Sequence, residues 1–167
     1  MDKRWIYILI IFIIGVVCLF YIVDSSNTVG RANVNVNTFT LTLPPDYNID
    51  AKKDKYVVIV NKDTRERISI KDLGKISIAG EMKNKTSILE QNENVTLIKN
   101  MTTDKNLTTP SIYYERIPDS INRVTYFTKY NHTFAIECHY FHENSTIEKD
   151  TLFLMENLRP DYKQKQS

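Results

Sequence analysis

The chain has 167 residues, with 22 Lys and Arg against 20 Asp and Glu and a formal net charge of +2. A hydrophobic content of 42% excludes a wholly disordered chain, and four Gly with five Pro exclude a collagen-like or linker-rich one. Because the positive charge is small and dispersed, we expect no nucleic-acid partner.

The first element along the chain is an uncharged apolar segment at residues 5–23. A helix of that length spans about 28 Å, close to the roughly 30 Å hydrocarbon core of a bilayer. Lys3 and Arg4 precede the segment and Asp24 follows it, so the positive-inside rule places residues 1–4 in the cytoplasm as a short stub. The sequence therefore predicts a single-pass protein of the cell membrane, anchored in the lipid bilayer, with its carboxy-terminal domain outside the cytoplasm.

Two other interpretations of this segment remain open. A cleavable signal peptide also begins with a basic stretch and an apolar one, but that apolar stretch is usually about 7–15 residues long and ends near an Ala-x-Ala-like site. A lipoprotein would use Cys18, but Gly15, Val16 and Val17 make a poor recognition sequence before it. A retained anchor fits the segment best.

After the apolar segment, a polar stretch leads into a domain in which apolar residues recur at regular spacing. Residues 24–37 are polar and predict a juxtamembrane stalk, although Val34 and Val36 alternate with Asn and also fit a short first strand. We expect the extracytoplasmic domain at residues 38–160 and a short polar tail at 161–167.

The domain opens with strand patterns. Apolar residues alternate with Thr over residues 38–43, an apolar β-branched run occupies 56–60, and isoleucines alternate with polar residues at 68–71 and again at 76–78. Helical spacing follows at 81–91. Further strands are expected at 95–98, 111–115, 123–130 and 133–141, with a loop at 101–110.

A final helix is predicted from the Ser145-Thr-Ile-Glu148 capping box to Pro160. The resulting order of strands, helix, strands, helix leaves too few helices for parallel crossovers. The sequence therefore predicts an α+β fold with one mostly antiparallel sheet and two packed helices.

A family resemblance supports this fold class. The run Phe39-Thr-Leu-Thr-Leu-Pro-Pro-Asp-Tyr47 resembles the strand and turn that open the PsbP-like and Mog1-like α/β/α sandwich domains. The chain departs from that pattern at Asp46, where the family usually has glycine. Three later segments look like the family's paired long strands and final helix end: residues 124–127, 134–137 and 157–160. The resemblance covers about residues 38–160. It implies a non-enzymatic domain that docks on a larger assembly, as family members do on photosystem II or a small GTPase, and neither partner is implied for this chain.

The sequence carries six Asn-x-Ser/Thr sequons, against about two expected by chance from its composition. This excess fits a glycosylated external domain, although an Asn- and Thr-rich composition also generates such motifs. The candidate acceptors are Asn84, Asn94, Asn100, Asn106, Asn131 and Asn144.

The search for reactive groups gives few candidates. His139, His142 and Glu143 form the densest cluster of metal-capable residues, but on a strand residues three apart point to opposite faces, and a third ligand is lacking. The four Gly never cluster, which excludes phosphate-binding loops. Cys138 alternates with apolar neighbours and is expected to be a buried hydrophobe, and Cys18 lies in the span, so no intrachain disulfide is expected. We expect no catalytic residue, metal or cofactor.

Aromatic residues crowd the later strands and are expected mainly to form the core of the sheet, with Tyr114 and Phe127 as the candidates for a partner surface if they are exposed. The sequence thus favours a membrane-anchored extracytoplasmic binding or assembly module without catalytic activity, with a protein partner at the membrane or cell surface. Two alternatives remain: an anchored enzyme, for example a hydrolase, with a site near His139 and His142, or a sensor ectodomain that works through a membrane partner.

Overall fold

A computed structural model describes residues 32–98, 109–116, 120–141 and 146–161. The predicted anchor at 5–23, most of the predicted stalk and nearly all of the tail lie outside these residues. Among the described residues, no helix is both long and apolar enough to cross a membrane.

The described residues form ten strands and two helices. The strands are β1 Asn33–Val36, β2 Phe39–Thr42, β3 Tyr47–Lys53, β4 Tyr56–Asn61, β5 Arg67–Gly74, β6 Thr96–Leu97, β7 Ser111–Glu115, β8 Ile121–Lys129, β9 His132–Phe141 and β10 Arg159–Pro160. The helices are α1 Ile78–Glu90 and α2 Ile147–Asn157.

The strands form two sheets. The large sheet has the order β3-β4-β5-β9-β8-β7-β6, and the small sheet has the order β1-β2-β10, with every pair antiparallel. The α+β class with mostly antiparallel pairing and two helices is confirmed. The expectation of one sheet is wrong in detail. β2 pairs with β1 and β10 in a separate small sheet, and the first strand of the large sheet along the chain is β3.

Each face of the large sheet packs on a different layer. On one face, here called the small-sheet face, the side chains join residues of β1, β2 and α2 in a core that contains Phe39, Phe134 and Leu154, all fully buried. On the other, here called the α1 face, Leu89 of α1 packs with Tyr114 and Tyr126. Burial on both faces explains why the central strands are apolar on both sides.

Three local expectations need correction. Asn33–Val36 is the first strand of the compact unit that starts at Asn33, because Val34 and Val36 are each 3% exposed and fill the core; the fold therefore begins before residue 38. The predicted strand at 76–78 does not form, since Gly74 ends β5 with a positive φ and Ile78 begins α1. β3 was not expected, because only Tyr47 of its seven residues is buried.

The last helix docks through polar as well as apolar contacts. Ser145 of the predicted capping box lies outside the described residues, and the N-cap residue Thr146 makes no side-chain capping bond. Its hydroxyl instead donates to Asp150 Oδ2, 3.0 Å away, and the same oxygen accepts a 3.0 Å bond from the Tyr47 hydroxyl. These bonds fix the first turns of α2 against β3.

Candidate functional site

Helix α1 covers only part of its face of the large sheet. The buried cluster beneath it draws residues from β5 to β9 and contains none from β3 or β4. On β4 this face presents a row of three apolar residues, of which Tyr56 and Val60 are half-buried and Val58 is 6% exposed. On this face, no residue of α1 joins β3 or β4 in a buried cluster.

Cations surround that row. Strand register places Lys53 opposite Tyr56, and Lys71 opposite Tyr56 from the other side. Arg67 lies opposite Val60. All three cationic side chains are exposed. We call this surface, consisting of Lys53, Arg67 and Lys71, the basic face. Arg116 is also exposed, but it follows β7, which β5, β9 and β8 separate from β4.

A hydrogen-bonded group lies between α1 and the strands beside this surface. Glu137 Oε1 accepts a 2.9 Å bond from Lys85 Nζ of α1 and a 2.7 Å bond from the Tyr114 hydroxyl. The ammonium of Lys85 also lies 6.0 Å from the centre of the Tyr114 ring, within cation–π range. Burial opposes ionisation of Glu137, but Lys85 and Tyr114 outweigh it and hold the pKa of this carboxyl below its usual value. The negative charge of Glu137 is therefore fixed and paired with Lys85.

His139 lies where β9 meets the basic face. It is the cross-strand neighbour of Arg67, which also pairs with Asp50. Burial lowers the pKa of His139, and the charges of Lys85, Arg116 and Arg67 lower it further against the opposing effect of Glu137. The imidazole is consequently neutral at pH 7 and lies among three cations.

Asn122 completes this end of the sheet. It lies opposite Tyr114 on the α1 face and is 2% exposed. Its amide nitrogen Nδ2 is buried and makes no hydrogen bond. A buried donor without an acceptor is uncommon in folded proteins and calls for a specific explanation.

The opposite face holds a second buried polar group. The Arg123 side chain is fully buried between β8 and α2, with Nη2 3.0 Å from Thr151 Oγ1 and 4.0 Å from Cys138 Sγ. Its Nη1 lies 3.4 Å from Glu148 Oε1. Burial raises the pKa of the Cys138 thiol in spite of Arg123 and Thr151. This group is enclosed, and it attaches α2 to the sheet rather than facing a ligand.

The sequence-predicted residues are distributed unevenly over this geometry. His139 belongs to the polar end of the sheet, whereas His142 lies outside the described residues. Tyr114 and Phe127 are 1% and 7% exposed, so they pack in the two cores and do not form a partner surface. The reason is alternation in the strands, which points each ring into a covered layer.

The candidate modification and metal positions complete this comparison. Asn84, Asn94 and Asn131 are exposed, and Asn100, Asn106 and Asn144 lie outside the described residues. Cys138 is a buried free thiol, as predicted. Within the described part of the chain, no group of three His, Cys, Asp or Glu side chains is arranged to hold a metal ion.

Four residues at the α1-covered end of the sheet were not identified from the sequence. Lys85 lies on α1, Asn122 on β8 and Glu137 on β9, and Arg116 comes just after β7, so their positions depend on strand pairing and on the docking of α1. The sequence offered one signal for Arg116, its position just after an apolar strand. That arrangement is too common to identify a functional residue.

Comparisons with known proteins give structural likenesses only. No protein-family model and no curated protein matches the chain. A solved structure from Bacteroides thetaiotaomicron matches 80% of this chain at 15% identity and a TM-score of 0.48, and the chain spans only 49% of that structure's length. LpqN, involved in cell envelope biogenesis of Mycobacterium tuberculosis, matches 78% of this chain and 85% of its own at 9% identity and a TM-score of 0.38. Neither is named as PsbP-like or Mog1-like, so that resemblance stays a prediction.

Proposed function

We propose that this protein is a membrane-anchored binding or assembly module, exposed outside the cytoplasm and without catalytic activity, which docks on an acidic protein through its basic face. The observation that carries the proposal is the part of the large sheet outside the α1 cluster, on which an apolar row is flanked by three exposed cations. The resemblance to PsbP-like and Mog1-like domains supports the same kind of role.

The chemistry of the basic face decides the class of partner. Half-buried Tyr56 and Val60 supply apolar contact area, which a partner can desolvate. Among the acidic groups of this end of the sheet, Glu137 is held by Lys85 and Tyr114, and Asp50 by Arg67. Lys53 and Lys71 make no ion pair within the described part of the chain. A surface with unpaired cations around an apolar strip is complementary to an acidic protein surface.

The anchor confines this surface near the membrane. The apolar segment at 5–23, with Lys3 and Arg4 before it, supports a cytoplasmic amino terminus and an external domain. A partner in the same membrane or at the cell surface then meets the basic face at a raised effective concentration.

Charge reversal tests the proposal. The tagged full chain is purified from its native membranes in mild detergent, and the co-purifying proteins are quantified for the wild type, K53E/K71E and K149E/R159E. Lys149 and Arg159 are exposed on α2 and on β10 of the small sheet, so the second variant has the same charge change on other elements. We expect an acidic protein that the wild type and K149E/R159E retain and that K53E/K71E loses. An identical set of proteins with all three chains would contradict the proposal.

A further inference from the structure

The β8–β9 hairpin turns through two residues, Tyr130 and Asn131, and only one of them suits the turn. Lys129 pairs with His132 across the loop, and Tyr130 and Asn131 have φ angles of 50° and 63°. Positive φ at both central positions is characteristic of the type I′ turn, which Asn and Gly favour. Asn131 meets that preference. A bulky aromatic residue at positive φ is disfavoured by steric contacts of its Cβ, so Tyr130 holds its place at a conformational cost.

The Tyr130 side chain gains nothing from the rest of the fold. At 73% exposure it is the most exposed large hydrophobic side chain among the described residues. Within the same part of the chain its hydroxyl makes no hydrogen bond and its ring no stacking contact. An aromatic residue in a disfavoured conformation without an intramolecular contact indicates a role outside the packing of the fold.

The residues beside the turn hold it in place. Lys129 Nζ donates to two carbonyl oxygens at the end of α2, which are 2.9 and 2.8 Å away. Thr133 Oγ1 donates to the Ile76 carbonyl oxygen at 2.7 Å, before the start of α1. Both strands are thus tied to neighbouring elements next to the turn, so Tyr130 is presented at a fixed position.

The neighbour of this ring is a candidate attachment site for a glycan. Asn131 is exposed and begins the Asn-His-Thr sequon that ends at Thr133. Consecutive Cα atoms are about 3.8 Å apart, so the Tyr130 ring lies within reach of a group bonded to Asn131 Nδ2. A sugar ring carries hydroxyl groups on its edge and C–H groups on its faces. Packing of one C–H face on an aromatic ring removes apolar area from water.

The other sequons lack such a ring. Asn131 alone among the six sequon asparagines directly follows an aromatic residue. Each of the other five follows a charged residue: Lys83, Glu93, Lys99, Lys105 or Glu143.

We infer that Asn131 carries an N-glycan and that Tyr130 positions it by packing against the first sugar. This inference rests on the external placement in the proposed function and is independent of the basic face. The co-reactant is a lipid-linked oligosaccharide phosphate. The bond from sugar C1 to the phosphate oxygen breaks, and a bond from C1 to Asn131 Nδ2 forms. Nδ2 loses one proton, and the lipid phosphate leaves with the bonding electrons.

The fold also sets the order of events. Thr133, whose hydroxyl belongs to the motif, is 2% exposed and bonded to the Ile76 carbonyl oxygen. A transferase can reach that hydroxyl only before the start of β9 packs against the β5–α1 loop. Attachment therefore precedes folding of this hairpin, and the Tyr130 ring meets the sugar afterwards.

Glycopeptide mass spectrometry of the full chain from its native membranes tests the attachment. We expect a glycan on the peptide that contains Asn131. An unmodified Asn131 would overturn the inference.

A double-mutant cycle tests the role of Tyr130. The melting temperature of the full chain in mild detergent is measured for the wild type, Tyr130→Ser, Asn131→Gln and the double variant. Asn131→Gln should lower the melting temperature by about 2–4 °C more when Tyr130 is present than in the Tyr130→Ser chain, the scale of one aromatic contact. Asn84→Gln, which removes an exposed sequon that follows Lys83, is the matched control and should have the same effect in both backgrounds.

The same chains made in a host without an N-glycan transferase separate the sugar from the two side chains. There we expect the coupling between positions 130 and 131 to vanish. Coupling that persists without the glycan, or that is absent with it, would overturn the role of Tyr130. The co-purification experiment is unaffected. Loss of the acidic protein on K53E/K71E together with an unmodified Asn131 would keep the docking role and reject the glycan alone.

Discussion

Arg123 shows how a single residue can be costly and still necessary. A fully buried guanidinium is costly unless its N–H groups are hydrogen-bonded, and Thr151 Oγ1 accepts a 3.0 Å bond from Arg123 Nη2 while donating to the Ile147 carbonyl oxygen at 2.6 Å. Removing one partner of a buried charged group leaves the other uncompensated, which is more damaging than the pair is stabilising.

We therefore predict that Thr151→Val lowers the free energy of unfolding by roughly 1–3 kcal/mol, because it keeps the shape but removes the acceptor of Arg123. Thr151→Ser keeps the hydroxyl and should cost less. Urea denaturation of both variants measures the difference. Equal stability of Thr151→Val and the wild type would show that the hydroxyl contributes nothing to holding Arg123.

His139 predicts a pH dependence of stability. Its folded pKa lies below the usual 6.5, so between these two values the unfolded chain binds a proton that the folded chain does not. The stabilisation is therefore present above about pH 6.5 and is lost as the pH falls, by at most about 1.4 kcal/mol per pH unit for one proton. Glu137, whose folded pKa is also lowered, acts with the same sign but below pH 4.5.

The measurement is urea unfolding at pH 7.5 and pH 5.5 for the wild type and His139→Gln. The wild type should lose more stability between these values than the variant, and Glu137 should contribute to neither in this window. The same loss in both proteins would place the titrating group elsewhere.

At this scale the sequence identified only part of the site. His139 was recognised because it is chemically distinctive and lies in a dense cluster, although a shared site with His142 was the hypothesis. Asn122 and Arg116 carry no such signal. The position of each depends on which strand β7 pairs with, and the unsatisfied amide of Asn122 depends on its surroundings, so neither property is local to the sequence.

Among the elements, strands with a buried face were predictable and the edge strand was not. Phe39–Thr42 alternates between buried and half-buried positions, as the alternation of apolar and polar residues in its sequence predicts. β3 is an edge strand with one buried residue, so its mostly polar composition is typical of a loop. At 76–78, two isoleucines spaced by two mimic a strand, but Ile76 is exposed and Ile78 starts α1.

β1 gives an element-scale prediction. Val34 and Val36 are buried in the main core, so a fragment of residues 38–167 should be less stable than one of residues 32–167. Burial of two valines contributes about 1.5–3 kcal/mol each, partly offset by the entropy of ordering the strand, so we expect a net loss of roughly 2 kcal/mol or more. Urea denaturation of the two purified fragments is the comparison. Identical urea midpoints for the two fragments would show that residues 33–36 do not stabilise the domain and belong with the stalk.

For the whole molecule, the two layers have different roles. The small-sheet face is closed by β1, β2 and α2 and provides the stable core, whereas the α1 face is closed at one end only and leaves charged and apolar side chains together at the other. Under the proposed function, this asymmetry would leave one face for binding while the other holds the fold, and the proposed tether at 5–23 would keep that surface near the membrane.

The most direct test of the whole account is photo-crosslinking in intact cells. A photoreactive phenylalanine is placed at position 71, on the basic face, or at position 149, an exposed position on α2. The account predicts a specific adduct with an acidic protein from position 71 and none from position 149, and external protease should degrade that adduct without cell lysis. An adduct that resists external protease, or one that forms from position 149 and not from position 71, would contradict it.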